Sequence, residues 1–174
     1  MRYAKHAIYL CQTLTRQLYQ CGGTKLAKAI PEKNGVHAVS AWIRSGAKKG
    51  TVLYGFTALT RVSICSDVNI IDMVLATDGD IESVVESNGR TPLSYAAEYG
   101  ELQNVKRLVE AGCSTNVAAN NGETPLSLAV TNGHLDTVKY LLIQGVKLKL
   151  DGLLQSKISG NDKMVKLLRR HGVR

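Results

Sequence analysis

The chain has 174 residues, enough for one compact domain or one short array of repeats. Apolar residues make up 44% and charged residues 21%, which excludes global disorder and fibrous compositions, and no stretch reaches the roughly 18 to 20 uninterrupted apolar residues of a membrane-spanning helix. The formal net charge of +8 is unevenly laid out: residues 1–50 hold nine basic and one acidic residue, residues 51–120 four and nine, and residues 121–174 nine and four, so basic ends flank an acidic middle.

In residues 1–21, Ala7, Cys11, Leu14 and Leu18 recur at helical spacing, which predicts an amphipathic helix covering one end of a core. Gln12, Thr13, Thr15 and Arg16 break the apolar run too early for a secretory signal. Cys11, Cys21, Cys65 and Cys113 are too far apart for a Cys-x-x-Cys pair, and the four histidines are scattered, so no metal-ligand spacing is present. The cysteines read as reduced packing residues of a cytosolic protein. Neither a metal nor a cofactor is expected.

Residues 22–54 carry a weak two-part pattern: Thr24-Lys25-Leu26 with Ala29-Ile30, then Val39, Trp42, Ile43 and Gly46. Residues 55–87 repeat it more clearly, with Gly55-Phe56-Thr57-Ala58-Leu59 followed by Ile71, Val74, Leu75 and Gly79. The pattern becomes explicit at Asn88-Gly89-Arg90-Thr91-Pro92-Leu93-Ser94-Tyr95-Ala96-Ala97, which returns 33 residues later as Asn121-Gly122-Glu123-Thr124-Pro125-Leu126-Ser127-Leu128-Ala129-Val130. The offset continues from Gly100 to Gly133, Val105 to Val138, Leu108 to Leu141 and Gly112 to Gly145. Farther on, Val165, Leu168 and Gly172 follow Val138, Leu141 and Gly145 by 27 residues, which shortens the last unit.

Each unit has a physical reading as two helices. Thr91 caps the first, and Pro92 suits its first turn, where a missing N–H costs nothing. Leu93, Ala96 and Ala97 form a narrow stripe of mostly small side chains, letting a second helix approach closely. Gly100 allows the tight turn, Val105, Leu108 and Val109 make the apolar face of the second helix, and Gly112 suits a left-handed C-terminal residue. Asn120-Asn121-Gly122 has the chemistry of a hairpin tip. One such pair cannot bury its own apolar face, so stacked neighbours must complete the core.

Gly-x-Thr-Pro-Leu-x-x-Ala, then Gly, then Val-x-x-Leu-Leu, then Gly at a 33-residue period resembles the ankyrin repeat, closely over residues 88–146 and loosely on either side. The resemblance implies an all-α solenoid of stacked helix-turn-helix units with short β-hairpin loops. About five units are expected, at 22–54, 55–87, 88–120, 121–148 and a truncated cap at 149–174, preceded by the capping helix of residues 1–21. Ser94 and Ser127 stand where the family usually has a His that ties neighbouring repeats together; a Ser reaches only a local partner. His134 falls where the family commonly carries a structural His.

Catalytic patterns are absent: there is no nucleophile elbow, phosphate loop, paired-histidine zinc motif or dinucleotide fingerprint, so the chain is read as a non-enzyme. Binding remains. The family's frame implies a concave face of hairpin tips and outward first-helix positions that takes a partner protein. On this chain it comprises Tyr54, Phe56, Arg90, Asn121 and Glu123 at the tips, and Arg61, Tyr95, Glu98, Tyr99, Leu128, Thr131 and Asn132 on the helices. Tyr and Arg are enriched at the energetic centres of interfaces, although Tyr95 would equally suit packing against the next repeat. The resemblance also makes Asn116, eight residues after Leu108, a candidate for hydroxylation. The module would be monomeric and cytosolic; a host-directed effector or viral antagonist using it as a decoy would look the same. A third reading places an anionic partner, nucleic acid or a membrane surface, on the basic terminal repeats. Against nucleic acid, the acidic middle would interrupt a phosphate track.

Overall fold

The computed structural model describes residues 52–53, 56–64, 68–84, 88–148 and 161–172. Two short strands, β1 (Val52–Leu53) and β2 (Phe56–Thr57), pair antiparallel with Val52 opposite Thr57. Seven helices follow among the described residues: α1 (Ala58–Ser63), α2 (Val68–Leu75), α3 (Pro92–Tyr99), α4 (Leu102–Glu110), α5 (Pro125–Thr131), α6 (Leu135–Ile143) and α7 (Asp162–Arg170). The expected leading helix of residues 1–21, and the expected unit 22–54 apart from β1, lie outside the described residues, as do Cys11, Cys21 and Cys65.

The first helices start where the sequence has hydroxyl caps. Thr57, Thr91 and Thr124 are extended and accept from the backbone N–H three residues on, at Thr60, Ser94 and Ser127. Pro92 and Pro125 occupy the first turn, and Ala58 substitutes for them in α1. Ser127 completes a capping box by accepting from Thr124 N–H at 2.9 Å, and Ser94 and Thr91 share a hydroxyl contact of 3.1 Å. Both serines thus bond locally, as their reach dictates.

At the ends of α3 to α6 the chain reverses through a left-handed glycine. Gly100 has φ +72, and the next N–H, from Glu101, donates to Ala96 O at 3.0 Å. The same six-to-one bond recurs from Cys113 to Leu108 O, from His134 to Ala129 O and from Val146 to Leu141 O.

The helices form two layers. α1, α3 and α5 pack side by side, α2, α4, α6 and α7 form the second row, and α1–α2, α3–α4 and α5–α6 pair across the layers. The core runs between them through Leu59, Ile71, Val74, Leu93, Val105, Leu108, Leu126, Val138, Leu141, Met164 and Leu168, each no more than 1% exposed. This core continues from one unit to the next. Cys113, which forms no disulfide, is buried within it. α7 plays the part of a second helix: Asn161 caps it by accepting from Met164 N–H, and Met164 and Leu168 fill the positions of Thr137 and Leu141. The tip between α4 and α5 differs from the expected β-hairpin. It is a turn without strand pairing, held by Ala119 N–H donating to Glu123 O at 2.8 Å and Asn120 N–H donating to Asn88 O at 2.9 Å.

Candidate functional site

The most connected polar constellation lies at the tips and first helices of the two best-formed units. Arg90, just before α3, spreads its guanidinium between two carboxylates: Nη1 donates to Glu98 Oε2 and Nη2 to Glu123 Oε2, each at 2.6 Å. Arg90 is 17% exposed at its side chain and the two glutamates 26% and 29%, so the pairs are partly shielded from solvent. Glu98 lies in the last turn of α3, whereas Glu123 lies in the following unit at the position equivalent to Arg90 itself. The fork therefore crosses the repeat boundary. Burial works against the Arg90 charge, but the Glu123 hydrogen bond and the Glu98 charge outweigh it and raise its pKa further.

Around this fork the neighbours are also tied. Asn88 Nδ2 donates to Tyr95 Oη at 2.8 Å, the Arg90 guanidinium sits 5.8 Å from the Tyr95 ring centre, and Asn121 Nδ2 donates to Glu123 Oε2 at 2.8 Å. Gly89 (φ +66) lets the tips meet, because a Cβ there would lie 2.3 Å from Asn120 Oδ1. Tyr99 is half-buried, and its pKa is raised by burial first and by the Glu98 charge second, so it remains a neutral phenol at physiological pH.

Among the positions read from the sequence, the structure brings together Arg90, Tyr95, Glu98, Asn121 and Glu123. Arg61, Thr131 and Tyr99 are half-exposed on their first helices or helix ends, and Asn132 is exposed at the C-terminus of α5, where Nδ2 donates to Leu128 O at 2.9 Å. One expectation of exposure is corrected, since Leu128 is 2% exposed, and Tyr95, for which exposure and packing were both open, is 8% exposed. Neither belongs to the core cluster that runs between the two layers. Tyr54 lies outside the described residues, and Phe56 is described only as a strand residue. Asn116 is exposed in the turn after α4, and Leu108, eight residues earlier, is fully buried.

Two residues that join the repeats lie outside this face. His134 Nε2 meets Glu98 O at 2.8 Å, closing the C-terminus of α3 from the next unit. Asn104, buried in α4, donates from Nδ2 to Ser63 O at 3.0 Å and so closes the end of α1. The repeat position marks His134, whereas the signal for Asn104 is a polar residue on the apolar stripe with Val105 and Leu108. Among the described residues no group of three or more His, Cys, Asp or Glu side chains is placed to hold a metal ion. None of their helices is long and apolar enough to cross a membrane.

A helix pair that cannot close its own core, threonine-proline helix starts and polar ties across each boundary define a stacked repeat protein. The family model for ankyrin repeats (3 copies) matches residues 26–119 and 78–151, and the chain belongs to the ankyrin-repeat family. It is also similar to the probable E3 ubiquitin-protein ligase XBOS31 of Oryza sativa subsp. japonica, at 33% identity over 82 residues, covering 45% of this chain and 18% of that protein. Ankyrin repeats are generally protein–protein interaction modules and typically non-catalytic.

The Arg90 fork carries a direct expectation. Arg90→Gln leaves two partly buried carboxylates facing each other without their cation, and we expect a loss of about 1–2 kcal/mol, between the values for exposed and for buried pairs. Urea denaturation followed by circular dichroism reads this; an unchanged midpoint would show the fork to be energetically idle.

Proposed function

We propose that the chain is a non-catalytic, monomeric, cytosolic capture module that binds a partner protein on a concave face of turn tips and first helices, within an array of five units at 22–54, 55–87, 88–120, 121–148 and 149–174. The Arg90 fork carries this reading. It holds Glu98 and Glu123 in set positions across a repeat boundary, so the face is ordered before any partner arrives and little entropy is lost on binding. Tyr99, Thr131 and Asn132, at or near the C-terminal ends of the first helices beside this fork, offer an amphipathic phenol and hydrogen-bonding groups. Buried Tyr95 supports the surface from beneath.

Affinity capture from lysate tests the reading with three baits: wild type, Tyr99→Ala with Asn132→Ala, and Lys139→Glu as a control on the other layer. A partner retained by the control and lost with the double variant is the expected result. A partner lost only with Lys139→Glu would move binding to the second helices.

A further inference from the structure

We propose that the outward face of α6 and α7 docks on an anionic lipid bilayer. On α6 the buried residues are Thr137, Val138 and Leu141, so Lys139 and Ile143 point away from the core. Ile143 is 64% exposed, the larger exposure of the two large apolar side chains that stand out from the described surface. On α7 the buried residues are Met164 and Leu168, which leaves Lys163, Lys166, Arg169 and Arg170 exposed. Lys166 and Arg170 hold the positions in α7 that Lys139 and Ile143 hold in α6, and the two helices pack side by side. One aliphatic side chain is therefore set among cations on a face that stacking does not use.

The charge around this face is strongly one-sided. Described residues from Leu135 to Gly172 include six basic and two acidic side chains, Asp136 and Asp162, whereas those from Thr57 to His134 include four basic and eight acidic. Among the described residues no ion pair engages Lys139, Lys163, Lys166, Arg169 or Arg170. On the neighbouring α4, by contrast, Arg107 is held by Asp72 at 3.4 Å and Glu110 at 3.5 Å, and Lys106 lies 6.0 Å from the Tyr140 ring centre. The uncompensated positive field thus begins at α6 and runs to the end of α7.

A bilayer suits both parts of this surface. Cations near an acidic leaflet gain from its surface potential, and an aliphatic side chain gains by entering the headgroup boundary; peripheral attachment needs two such signals together. A nucleic-acid backbone would reward the cations alone and leave Ile143 in water. This face is separate from that of the proposed protein capture.

The test is co-sedimentation of the full chain with phosphatidylcholine vesicles, with and without phosphatidylserine, at low and physiological salt. Wild type is expected on the acidic vesicles only, more weakly as salt rises. Lys166→Gln with Arg170→Gln should lower partitioning by roughly fivefold per charge removed. Ile143→Ser should lower it by roughly fourfold for each methylene that the bilayer takes up. All three residues are exposed, so far-UV circular dichroism should not change. Equal binding to neutral vesicles, no binding at low salt, or wild-type binding by Ile143→Ser would overturn the proposal. So would tight binding to duplex DNA with the vesicles left unbound, or self-association abolished by the same substitutions.

Discussion

Leu126→Ala is expected to destabilise the chain by about 2–5 kcal/mol. Leu126 is 0% exposed, in α5, and belongs to the core that passes from one unit to the next. α5 packs against both α3 and α6, so the lost methyl groups weaken two contacts at once. In a quasi-one-dimensional stack each unit touches only its neighbours, and no third layer takes up the slack. The C-terminal part from α5 onward should therefore unfold first. Hydrogen exchange resolved by segment checks this: protection in α5, α6 and α7 should fall before protection in α3 and α4. Unchanged protection in α5 to α7 would contradict the packing described above.

Gly100→Ala should cost about 2–4 kcal/mol, more than a turn glycine ordinarily does. Two effects combine. At φ +72 an alanine is strained by about 1–2 kcal/mol, and its Cβ would lie 2.3 Å from His134 Nδ1. The imidazole would have to leave, taking with it the contact to Glu98 O at 2.8 Å. Gly112→Ala is the internal comparison: its φ is +95, but a Cβ there meets nothing within 4 Å, so only the backbone cost remains. Urea denaturation of both variants separates the terms. Equal losses would mean that the His134 contact contributes nothing.

Local chemistry made the helices legible from sequence. Thr91-Pro92 and Thr124-Pro125 mark starts, Gly100, Gly112, Gly133 and Gly145 mark reversals, and the stripes between them have helical spacing. Even α7, after a shortened spacing, was visible through Val165, Leu168 and Gly172, although Met164 proved more deeply placed than Val165. The lateral environment was less legible. Tyr95 and Leu128 are buried although neither joins the core between the layers, so the apolar stripe of the helix pair does not mark them. Arg61, at the corresponding place in α1, stays half-exposed.

From sequence alone the candidate site is a set of surface groups, whereas half of it is an internal tie. A signal for the tie was present: Arg90 and Glu123 are opposite charges at equivalent positions of adjacent units, and equivalent positions become neighbours once units stack. Asn104 hid for a different reason. Its partners are main-chain carbonyls, which no sequence pattern displays.

The ties to those carbonyls all run one way. Asn104 reaches from α4 to the end of α1, and His134 from the start of α6 to the end of α3, so each finishing donor arrives later in the chain than the helix it completes. During synthesis from the N-terminus, α3 leaves the ribosome with its Glu98 carbonyl open and keeps it so until His134 has been made. The newest module at the growing edge is thus always the unfinished one, and ordering advances one step behind elongation.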